Sequence, residues 1–429
     1  MQSLYDLYER FKVSSGVCID SRALKDQCIF FCIKGEKFDG HEFAEEALSK
    51  GALVVVVDNE KYYNPDDERF FKVSDTLRAL QFLSSHHRDK LNIPVIAITG
   101  TNGKTTTKEL VHTVLASRFK THATKGNFNN HIGLPLTLLE MTDDVDIAVI
   151  EMGASAEKEI ELLCQIAQPN YGLITNIGKA HLEGFGSVEG VKRAKGELYD
   201  YLRDNNGKVF VNKDLDYLVE MAKGINSICY GKEYSLHTYA RITKNAPFIN
   251  VLYDGSNTVN TKLPGEYNFY NILVAICIGK YFNVPVDAIR RSLESYEPNL
   301  NRSQIVEHRG AKVLLDAYNA NPSSMKVAIE SFYSQPKGTK KLLILGDMYE
   351  LGGESKNEHK KVLQQLKEIN QGDVVLLGEE YKKASVGYEQ FKYFDDFEAL
   401  KKWFETLDLY GFDVFIKGSR AMSLEKLLT

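Results

Sequence analysis

The feature that most constrains the fold of this chain is a glycine-rich turn between a strand-like run and a helix-like run. The segment TGTNGKTTT (99–107) follows the apolar run IPVIAI and precedes KELVHTVL. The backbone N–H groups of such a turn, with the helix N-terminus behind them, form a pocket for polyphosphate. In this motif Lys104 neutralises the β- and γ-phosphates and the Thr105 hydroxyl binds Mg²⁺.

The motif is a variant of the phosphate-binding P-loop. The usual spacing places a glycine five residues before Gly103, and this chain has Ile98 there. The alternative is a plain strand-to-helix turn with an exposed lysine. The correct strand and helix patterns on both sides favour the P-loop.

Length and strand pattern predict an α/β protein of three domains. A chain of 429 residues is long enough for about three domains of roughly 150 residues each. Strand-like runs alternate with helix-like runs from Ile93, which predicts a parallel sheet with helices on both faces. We predict a small N-terminal α/β domain (1–88), a central P-loop domain with a parallel sheet (89–299) and a C-terminal Rossmann-like α/β domain (300–429).

Two shorter elements are predicted with those domains. A helix is expected over Thr76-Leu91, and antiparallel hairpin material is expected near Ser235-Lys262, with Asp254-Gly255 as a turn signal. Ligands bind such parallel sheets beyond the carboxyl ends of the strands, where Gly100 and Glu151 fall.

Composition excludes several classes of function. Lys and Arg number 53 against 58 Asp and Glu, and the resulting charge of −5 does not suggest wholesale nucleic-acid binding. The apolar runs fall short of the ~20 residues of a membrane helix, and the first residues contain no apolar signal core. The six cysteines form no CxxC pair. We expect a cytoplasmic protein without membrane insertion.

Two candidate metal ligands follow strands of the central sheet. Glu151 closes DIAVIE, and His181 lies in TNIGKAHLEGFGS. A carboxylate and an imidazole there can reach metal ions held by nucleotide phosphates. Taken alone, a residue of this kind is more often a solvated or hydrogen-bonded loop residue. Their convergence with the P-loop is what favours a metal-binding role.

For three further charged residues, a purely structural interpretation is an alternative to a functional one. Lys195 stands in GVKRAKGELYDYL, where a solvated helix face is the simpler reading. Asp316 ends a strand as a ribose-binding carboxylate would, and Arg302 begins the same domain. Turn chemistry is the alternative for both.

Asparagines cluster in KGNFNNHIGLP, which contains Asn127, Asn129 and Asn130, and in DAYNANP, which contains Asn319 and Asn321. Such clusters often only build turns. They also recognise amides, riboses and adenine edges, because each side chain offers donors and an acceptor.

Taken together, these segments resemble the Mur ligases, the ATP-dependent amide-forming enzymes of peptidoglycan assembly. The resemblance spans almost the whole chain and rests on motifs that occur in the family's order: TGTNGKTTT, GNFNNHIGLPLTLL, IEMGAS, TNIGKAHLEGFGS, AKGELYDYL, GEYNFYN, NRSQ, DAYNANPSSM, LGDMYELG and KGSRAM. Two positions depart from many relatives. His131 stands where many carry glutamate, and Tyr267 where many carry histidine.

Within the family, DAYNANPSSM and LGDMYELG resemble the enzyme that adds D-alanyl-D-alanine to UDP-N-acetylmuramoyl-tripeptide. Asp20-Ser21-Arg22 and KGEKFDGHEF resemble the UDP-binding parts of that enzyme. The resemblance implies ATP, two Mg²⁺ ions, an acyl-phosphate intermediate and a monomer.

The resemblance also implies roles for individual residues. Lys104, His181, Lys195 and Arg302 would be catalytic, and Lys195 would carry a carbamate that binds metal. Metal ligands would be Thr105, Glu151, His181 and Lys195. The nucleotide would contact Gly100, Thr101, Asn102, Gly103, Lys104, Thr105, Thr106, Asn130, Asn268, Asn271, Arg302 and Asp316. Ser21, Arg22, Lys37 and His41 would face the uridine diphosphate. The LGDMYELG loop (345–352), which contains Asp347 and Glu350, would face the incoming dipeptide. Asp39, Asn319 and Asn321 would also contact the substrates.

Other functions remain open from the sequence. A sister ligase that adds diaminopimelate or lysine, or a folylpolyglutamate synthase, would accept a single amino acid. A nucleotide-binding switch would use the P-loop without ligation. The sequence does not identify the third residue of the peptide substrate.

Overall fold

The computed structural model describes residues 3–299, 301–334 and 340–429. These residues form three α/β units, each built on its own sheet, and confirm the predicted fold class. The first residues of the predicted N-terminal and C-terminal domains, Met1 and Leu300, lie outside the described residues.

The N-terminal domain is a parallel sheet covered by helices. Its strands pair in the order β1-β2-β3-β4, and every pairing is parallel. The strands are β1 Val17–Cys18, β2 Ile29–Phe31, β3 Val54–Val57 and β4 Phe70–Lys72. The helices are α1 Leu4–Val13, α2 Ala44–Ser49 and α3 Thr76–Leu91. Short 3₁₀ turns cover Ser21–Ala23, Gly40–Phe43 and Glu60–Tyr62.

Helix α3 joins the N-terminal domain to the central one. Asp75 caps its start by accepting from the N–H of Arg78, and Asn92 ends it in the left-handed conformation. Arg88 is buried and donates to the carbonyl oxygens of Ala167 and Gln168. Since α3 runs to Leu91, a boundary after residue 88 falls within this helix. The domain limits stay predictions.

The central domain contains the longest sheet of the described residues, in the order β13-β12-β11-β10-β9-β8-β5-β7-β6. The strands are β5 Val95–Thr99, β6 Thr121–Ala123, β7 Ile147–Glu151, β8 Tyr171–Ile174, β9 Lys208–Asn212, β10 Asn226–Gly231, β11 Thr238–Lys244, β12 Asn250–Tyr253 and β13 Asn257–Asn260. The helices are α4 Lys104–Ala116, α5 Gly133–Leu139, α6 Glu159–Ala167, α7 Leu182–Phe185, α8 Val188–Asp204, α9 Asp216–Met221, α10 Phe269–Tyr281 and α11 Val286–Ser295. A 3₁₀ turn covers Glu266–Asn268.

Both faces of this sheet are buried. Ile96 and Ile98 of β5 pack in one hydrophobic cluster, whereas Val95 and Ala97 pack in another. The alternation places apolar side chains on each face, as a parallel sheet between helices requires. The pairings from β6 to β11 are parallel. The β11–β12–β13 segment is antiparallel, and Asp254-Gly255 forms the turn between β12 and β13, as predicted.

The C-terminal domain has the strand order β14-β15-β19-β16-β17-β18. The first pairing is antiparallel and the others are parallel. The strands are β14 Gln304–His308, β15 Ala311–Asp316, β16 Lys340–Gly346, β17 Asp373–Leu377, β18 Lys392–Phe394 and β19 Phe412–Lys417. The helices are α12 Pro322–Tyr333, α13 Ser355–Ile369, α14 Glu379–Ala384 and α15 Phe397–Glu405. Short 3₁₀ turns cover Gly352–Glu354, Arg420–Met422 and Leu424–Leu428.

The C-terminal domain contacts the central domain beside the P-loop. Asn321 Nδ2 donates to Asn102 Oδ1 at 2.8 Å, and the Glu183 N–H donates to the Glu350 carbonyl at 3.3 Å. The carboxyl ends of the strands of both sheets therefore meet at one interface. Over the described residues, no helix is both long and apolar enough to cross a membrane.

Candidate active site between the central and C-terminal domains

The P-loop connects β5 to α4 with two glycines whose backbone no other residue adopts easily. Gly100 has φ 140° and Gly103 has φ 79°. A Cβ at Gly100 would lie 2.0 Å from Thr175 Oγ1, and one at Gly103 would lie 2.7 Å from Asn271 Oδ1. The turn is therefore shaped for glycine on both conformational and steric grounds.

Lys104 begins α4 and folds back over its own loop. Its ammonium donates to the carbonyl oxygens of Gly100 at 2.8 Å and Thr101 at 3.1 Å. Burial lowers the pKa of this amine, Glu151 raises it and Arg302 lowers it further. A phosphate group in the loop would offer the ammonium a charged acceptor in place of two neutral carbonyl groups.

Glu151 closes β7 with a carboxylate that is only half satisfied. Its Oε1 accepts a hydrogen bond of 2.8 Å from Asn129 Nδ2. Its Oε2 is buried and has no hydrogen-bond partner among the described residues. A buried, unpaired carboxylate oxygen is costly, and a cation bound at this point would satisfy it.

His181 lies at the interface between the two domains. Its backbone is in the left-handed region, at φ 49°, and its Nδ1 lies 2.6 Å from Glu350 Oε2. The geometry of this contact is not that of a hydrogen bond. The imidazole lowers the pKa of the Glu350 carboxyl. The predicted metal-binding histidine thus meets the predicted dipeptide-facing loop.

Lys195 is buried, which corrects the solvated helix face that the sequence alone favoured. Its neighbours at helical spacing, Val191, Leu198 and Leu202, form the buried face of α8. Its amine donates to the Ala154 carbonyl at 3.2 Å and lies 5.1 Å from the centre of the Phe185 ring. Burial, and to a lesser degree the charge of Lys104, lower the pKa of this amine to about 7.

Arg302 and Asp316 face the cavity from the C-terminal domain. The Arg302 guanidinium lies 3.6 Å from the centre of the Tyr318 ring, and its buried Nε has no hydrogen-bond partner among the described residues. Asp316 accepts from the Ser303 N–H at 3.1 Å and from Lys417 Nζ at 2.5 Å. The position at the end of β15 matches the prediction, and Ser303 and Lys417 hold the carboxylate there.

Several of the predicted asparagines bond to one another or to backbone. Asn268 Nδ2 donates to the Pro264 carbonyl, and Asn271 connects Asn268 Oδ1 to the Thr107 hydroxyl. Asn130 Oδ1 accepts from the N–H groups of Ile132 and Gly133 at the start of α5. These amides fix the loops around the cavity, and their predicted nucleotide contacts stay predictions.

One cavity of about 720 Å³ joins the central and C-terminal domains. The predicted site residues that line it are Thr101, Asn102, Gly103, Lys104, Thr105, Thr106, Asn130, Glu151, His181, Asn268, Asn271, Arg302, Asp316, Asn319 and Asn321. The remaining predicted residues do not line it: Gly100, Lys195, Ser21, Arg22, Lys37, Asp39, His41, Asp347 and Glu350. Gly100 and Lys195 nevertheless contact lining residues through Lys104 and Ala154.

The predicted substrate residues of the N-terminal domain lie after the carboxyl ends of its strands. Asp39 Oδ1 lies 2.6 Å from His41 Nδ1, and Asp58 Oδ1 lies 3.0 Å from His41 Nε2. His41 is buried between these two carboxylates. Arg22 pairs with Asp20 at the surface, at 2.7 Å. Ser21 opens the 3₁₀ turn at the same place, and Lys37 is exposed.

Asp347 forms hydrogen bonds at the start of helix α14. It is buried, and its carboxylate accepts from the N–H groups of Glu380 and Tyr381 at the start of α14. The contact stabilises that helix N-terminus. Of the two loop residues predicted to face the dipeptide, Glu350 lies at the domain interface, whereas Asp347 is buried within the C-terminal domain.

Sequence reasoning named Asn129 only as a member of an asparagine cluster, and it missed Tyr318 and Lys417, which also line the cavity. Asn129 holds Glu151, Lys417 holds Asp316, and Tyr318 underlies Arg302. Lys417 sits in KGSRAM and Tyr318 in DAYNANP, so the motifs contained them. Their roles depend on pairings with residues more than a dozen positions away, which spacing does not reveal.

Three family models match the chain in sequence order. The Mur ligase family, catalytic domain, matches residues 14–88; the Mur ligase middle domain matches 98–279; and the Mur ligase, glutamate ligase domain, matches 301–420. A UDP-N-acetylmuramoyl-tripeptide–D-alanyl-D-alanine ligase of Bacillus subtilis (strain 168) is 37% identical over 354 residues, covering 81% of this chain and 77% of the relative. The chain belongs to the Mur ligase family.

Solved structures of Mur ligases agree with this fold over nearly the whole chain. The crystal structure of MurF from Acinetobacter baumannii has a TM-score of 0.86 and 30% identity, covering 96% of this chain and 92% of that one. MurF from Thermotoga maritima in complex with ADP has a TM-score of 0.84 and 27% identity, covering 100% and 97%. The similarity to Mur ligases thus includes all three domains.

Proposed function

We propose that this protein is an ATP-dependent ligase that adds D-alanyl-D-alanine to UDP-N-acetylmuramoyl-tripeptide, giving the UDP-pentapeptide precursor of peptidoglycan, ADP and phosphate. The observation that carries the proposal is the cavity of about 720 Å³, which joins the P-loop and Glu151 to Arg302 and Asp316 of a second domain. The choice of substrates follows the name of the Bacillus relative, a UDP-N-acetylmuramoyl-tripeptide–D-alanyl-D-alanine ligase. ATP as the nucleotide agrees with the ADP bound to the Thermotoga relative.

The reaction needs a cavity of mixed charge. A carboxylate is a poor electrophile, so its oxygen first attacks the γ-phosphate of ATP to give an acyl phosphate and ADP. The amine of the dipeptide then attacks the acyl carbon, and inorganic phosphate leaves from the tetrahedral intermediate. Two anions meet in the first step, and Lys104 and Arg302 would reduce their repulsion.

The cavity fits a divalent cation only with help from the nucleotide. Among the described residues, no group of three or more histidine, cysteine or acidic side chains could hold a metal ion. The unpaired Oε2 of Glu151 offers one anionic ligand, and Thr105 and His181 lie in the same cavity. Mg²⁺ commonly takes most of its ligands from phosphates and water. We therefore propose that, together with ATP, Thr105 and Glu151 hold a first Mg²⁺ and His181 a second, which would cancel phosphate charge.

Lys195 is proposed to carry a carbamate. An amine with a pKa of about 7 is substantially neutral near pH 7, and a neutral amine adds to CO₂ and releases one proton. The resulting anion would face the positive charge of Lys104, which already lowers the pKa of the Lys195 amine. Modification would thus replace a repulsive pair by an attractive one, and the carbamate would bind metal.

The substrate with the UDP group is proposed to bind the N-terminal domain through Ser21, Arg22, Lys37, Asp39 and His41. A monomer is proposed because the cavity is complete within one chain. The cytoplasm is the proposed location. Six free cysteines suit a reducing compartment.

The test of the function is phosphate release by purified protein with ATP, Mg²⁺ and UDP-N-acetylmuramoyl-tripeptide. Two forms of the tripeptide, with diaminopimelate or lysine as the third residue, are compared. We expect release that depends on D-alanyl-D-alanine, with a UDP-pentapeptide detected by mass. Release that depends on a single amino acid would indicate a sister ligase, and ATP hydrolysis without any acceptor would indicate a switch.

A further inference from the structure

Lys179 of the central domain is held at two points by the C-terminal domain. Its backbone N–H donates to Ser323 Oγ at 2.8 Å, and its ammonium donates to Glu358 Oε1 at 2.7 Å. Ser323 belongs to α12 and Glu358 to the first turn of α13. Two different helices of one domain therefore fix one residue of the other.

The carboxylate of this ion pair is buried, whereas its ammonium is partly exposed. The Glu358 side chain is 4% exposed and that of Lys179 is 40% exposed. Lys361, one turn further along α13, donates to the same oxygen at 2.7 Å. Burial raises the pKa of the Glu358 carboxyl, but the two lysines outweigh it and hold the pKa below its usual value. Removing a partner from a buried carboxylate costs much more free energy of folding than removing one from an exposed carboxylate.

The segment around Lys179 also contacts the P-loop. The Gly178 N–H donates to Thr101 Oγ1 at 2.9 Å. A Cβ at Gly178 would lie 2.7 Å from Ser323 Oγ, so glycine permits the close approach of α12. Two residues after Lys179, His181 meets Glu350 of the C-terminal loop. Lys179 therefore stands between the P-loop and the loop predicted to face the incoming amine.

We propose that Lys179 is a positioning residue, which through Glu358 fixes the C-terminal domain at the distance from the P-loop that the transfer of the acyl group to the amine requires. The inference rests on the proposed function. It assigns Lys179 no contact with substrate or nucleotide. Its effect is on where the dipeptide-facing loop lies when the acyl phosphate forms.

The test compares Lys179→Met with Lys361→Met in the full-length protein. Both variants remove one lysine from Glu358, but only Lys179→Met removes an ion pair that joins the two domains. We expect Lys179→Met to raise KM for D-alanyl-D-alanine and to lower kcat/KM for it about tenfold. The affinity for UDP-N-acetylmuramoyl-tripeptide in the absence of ATP, measured by calorimetry, should stay unchanged. Lys361→Met should remain within about twofold of wild type.

A double-mutant cycle with Glu358→Gln separates positioning from a general loss of stability. If Lys179 acts through Glu358, the kcat/KM of the double variant is no lower than that of the less active single variant. A Lys179→Met variant with wild-type kinetics would overturn the inference, and so would an equal loss in Lys361→Met. If the wild-type protein itself releases phosphate without need of the dipeptide, the proposed function fails instead.

Discussion

Asn129 donates a 2.8 Å hydrogen bond to one carboxylate oxygen of Glu151 and leaves the other, buried oxygen without a partner among the described residues. The asparagine fixes the orientation of the carboxylate, and the free oxygen stays available to a cation. Charge and geometry at the end of β7 are thus arranged for a ligand that the protein alone does not provide.

Glu151→Gln should therefore separate activity from stability. The amide keeps the bond from Asn129 in one rotamer but removes the negative charge, so we expect the half-saturating Mg²⁺ concentration to rise about tenfold. The thermal unfolding midpoint should be at least as high as that of wild type, because a buried unpaired charge is removed. Mg²⁺ titrations of phosphate release check the first expectation. An unchanged Mg²⁺ dependence would remove Glu151 from the metal site.

Lys104→Ala should abolish turnover without affecting the N-terminal domain. Among the described residues, the ammonium donates hydrogen bonds only to its own loop, so its loss removes charge compensation at the phosphates, and we expect kcat to fall at least about 100-fold. The affinity for the UDP-substrate, measured by calorimetry, should remain within about twofold. If substrate binding falls in parallel with turnover in a folded variant, the division of roles between the domains is wrong.

Lys195→Ala should be inactive and partly rescued by formate or acetate. Short carboxylates can occupy the place of a carbamate next to Lys104, because both carry one negative charge on two oxygens. The matched control is Lys192→Ala on the same helix, which should keep wild-type activity with or without added acid. Phosphate release over a range of acetate concentrations is the measurement. Full activity of Lys195→Ala without acid would exclude a role at the metal.

His359 beneath the LGDMYELG loop should contribute to the pH dependence of stability. Its Nε2 accepts from the Met348 N–H at 3.0 Å and its Nδ1 donates to the Ser355 carbonyl, so the ring is neutral. Burial lowers its pKa, although Asp347, Glu380 and Glu358 act in the opposite direction. Because the folded pKa lies below the unfolded value, this contribution to stability is complete above about pH 6.5 and declines as the pH falls.

His359→Leu should cost about 1–3 kcal/mol at pH 7, because the Met348 N–H loses its acceptor. The variant should also show a smaller drop in unfolding midpoint than wild type between pH 7 and pH 5. His131→Leu, at an exposed position, serves as the control and should keep the wild-type slope. An unchanged slope in His359→Leu would show that this histidine does not titrate with unfolding.

The sequence predicted the parts of the fold that depend on local pattern. The apolar run before Gly100 and the helix periodicity after Gly103 were sufficient for β5, the P-loop and α4. Thr76–Leu91 is a helix with the predicted ends, because Asp75 and Asn92 supply local start and stop signals. These elements are specified within a few residues of the chain.

The sequence did not predict what depends on contacts between distant segments. In the sequence Lys195 is a charged residue of a helix, which favours a solvated position. The packing of α8 on the sheet shows that this position belongs to the buried face. The motif that contains Asp347 predicts a contact with the dipeptide, but it gives no sign that the carboxylate also accepts from two N–H groups at the start of α14. The contact of His181 with Glu350 joins two domains, and no spacing within either motif encodes it.

The most direct test of the account follows oxygen from the substrate carboxylate. The UDP-tripeptide is labelled with ¹⁸O in the carboxylate that accepts the dipeptide and is incubated with ATP, Mg²⁺ and D-alanyl-D-alanine. Attack of that carboxylate on the γ-phosphate transfers one ¹⁸O to the phosphate that later leaves, so we expect one labelled oxygen in each inorganic phosphate and one in the new amide. Phosphate that carries no ¹⁸O would show that water attacked ATP, and would contradict ligation through an acyl phosphate.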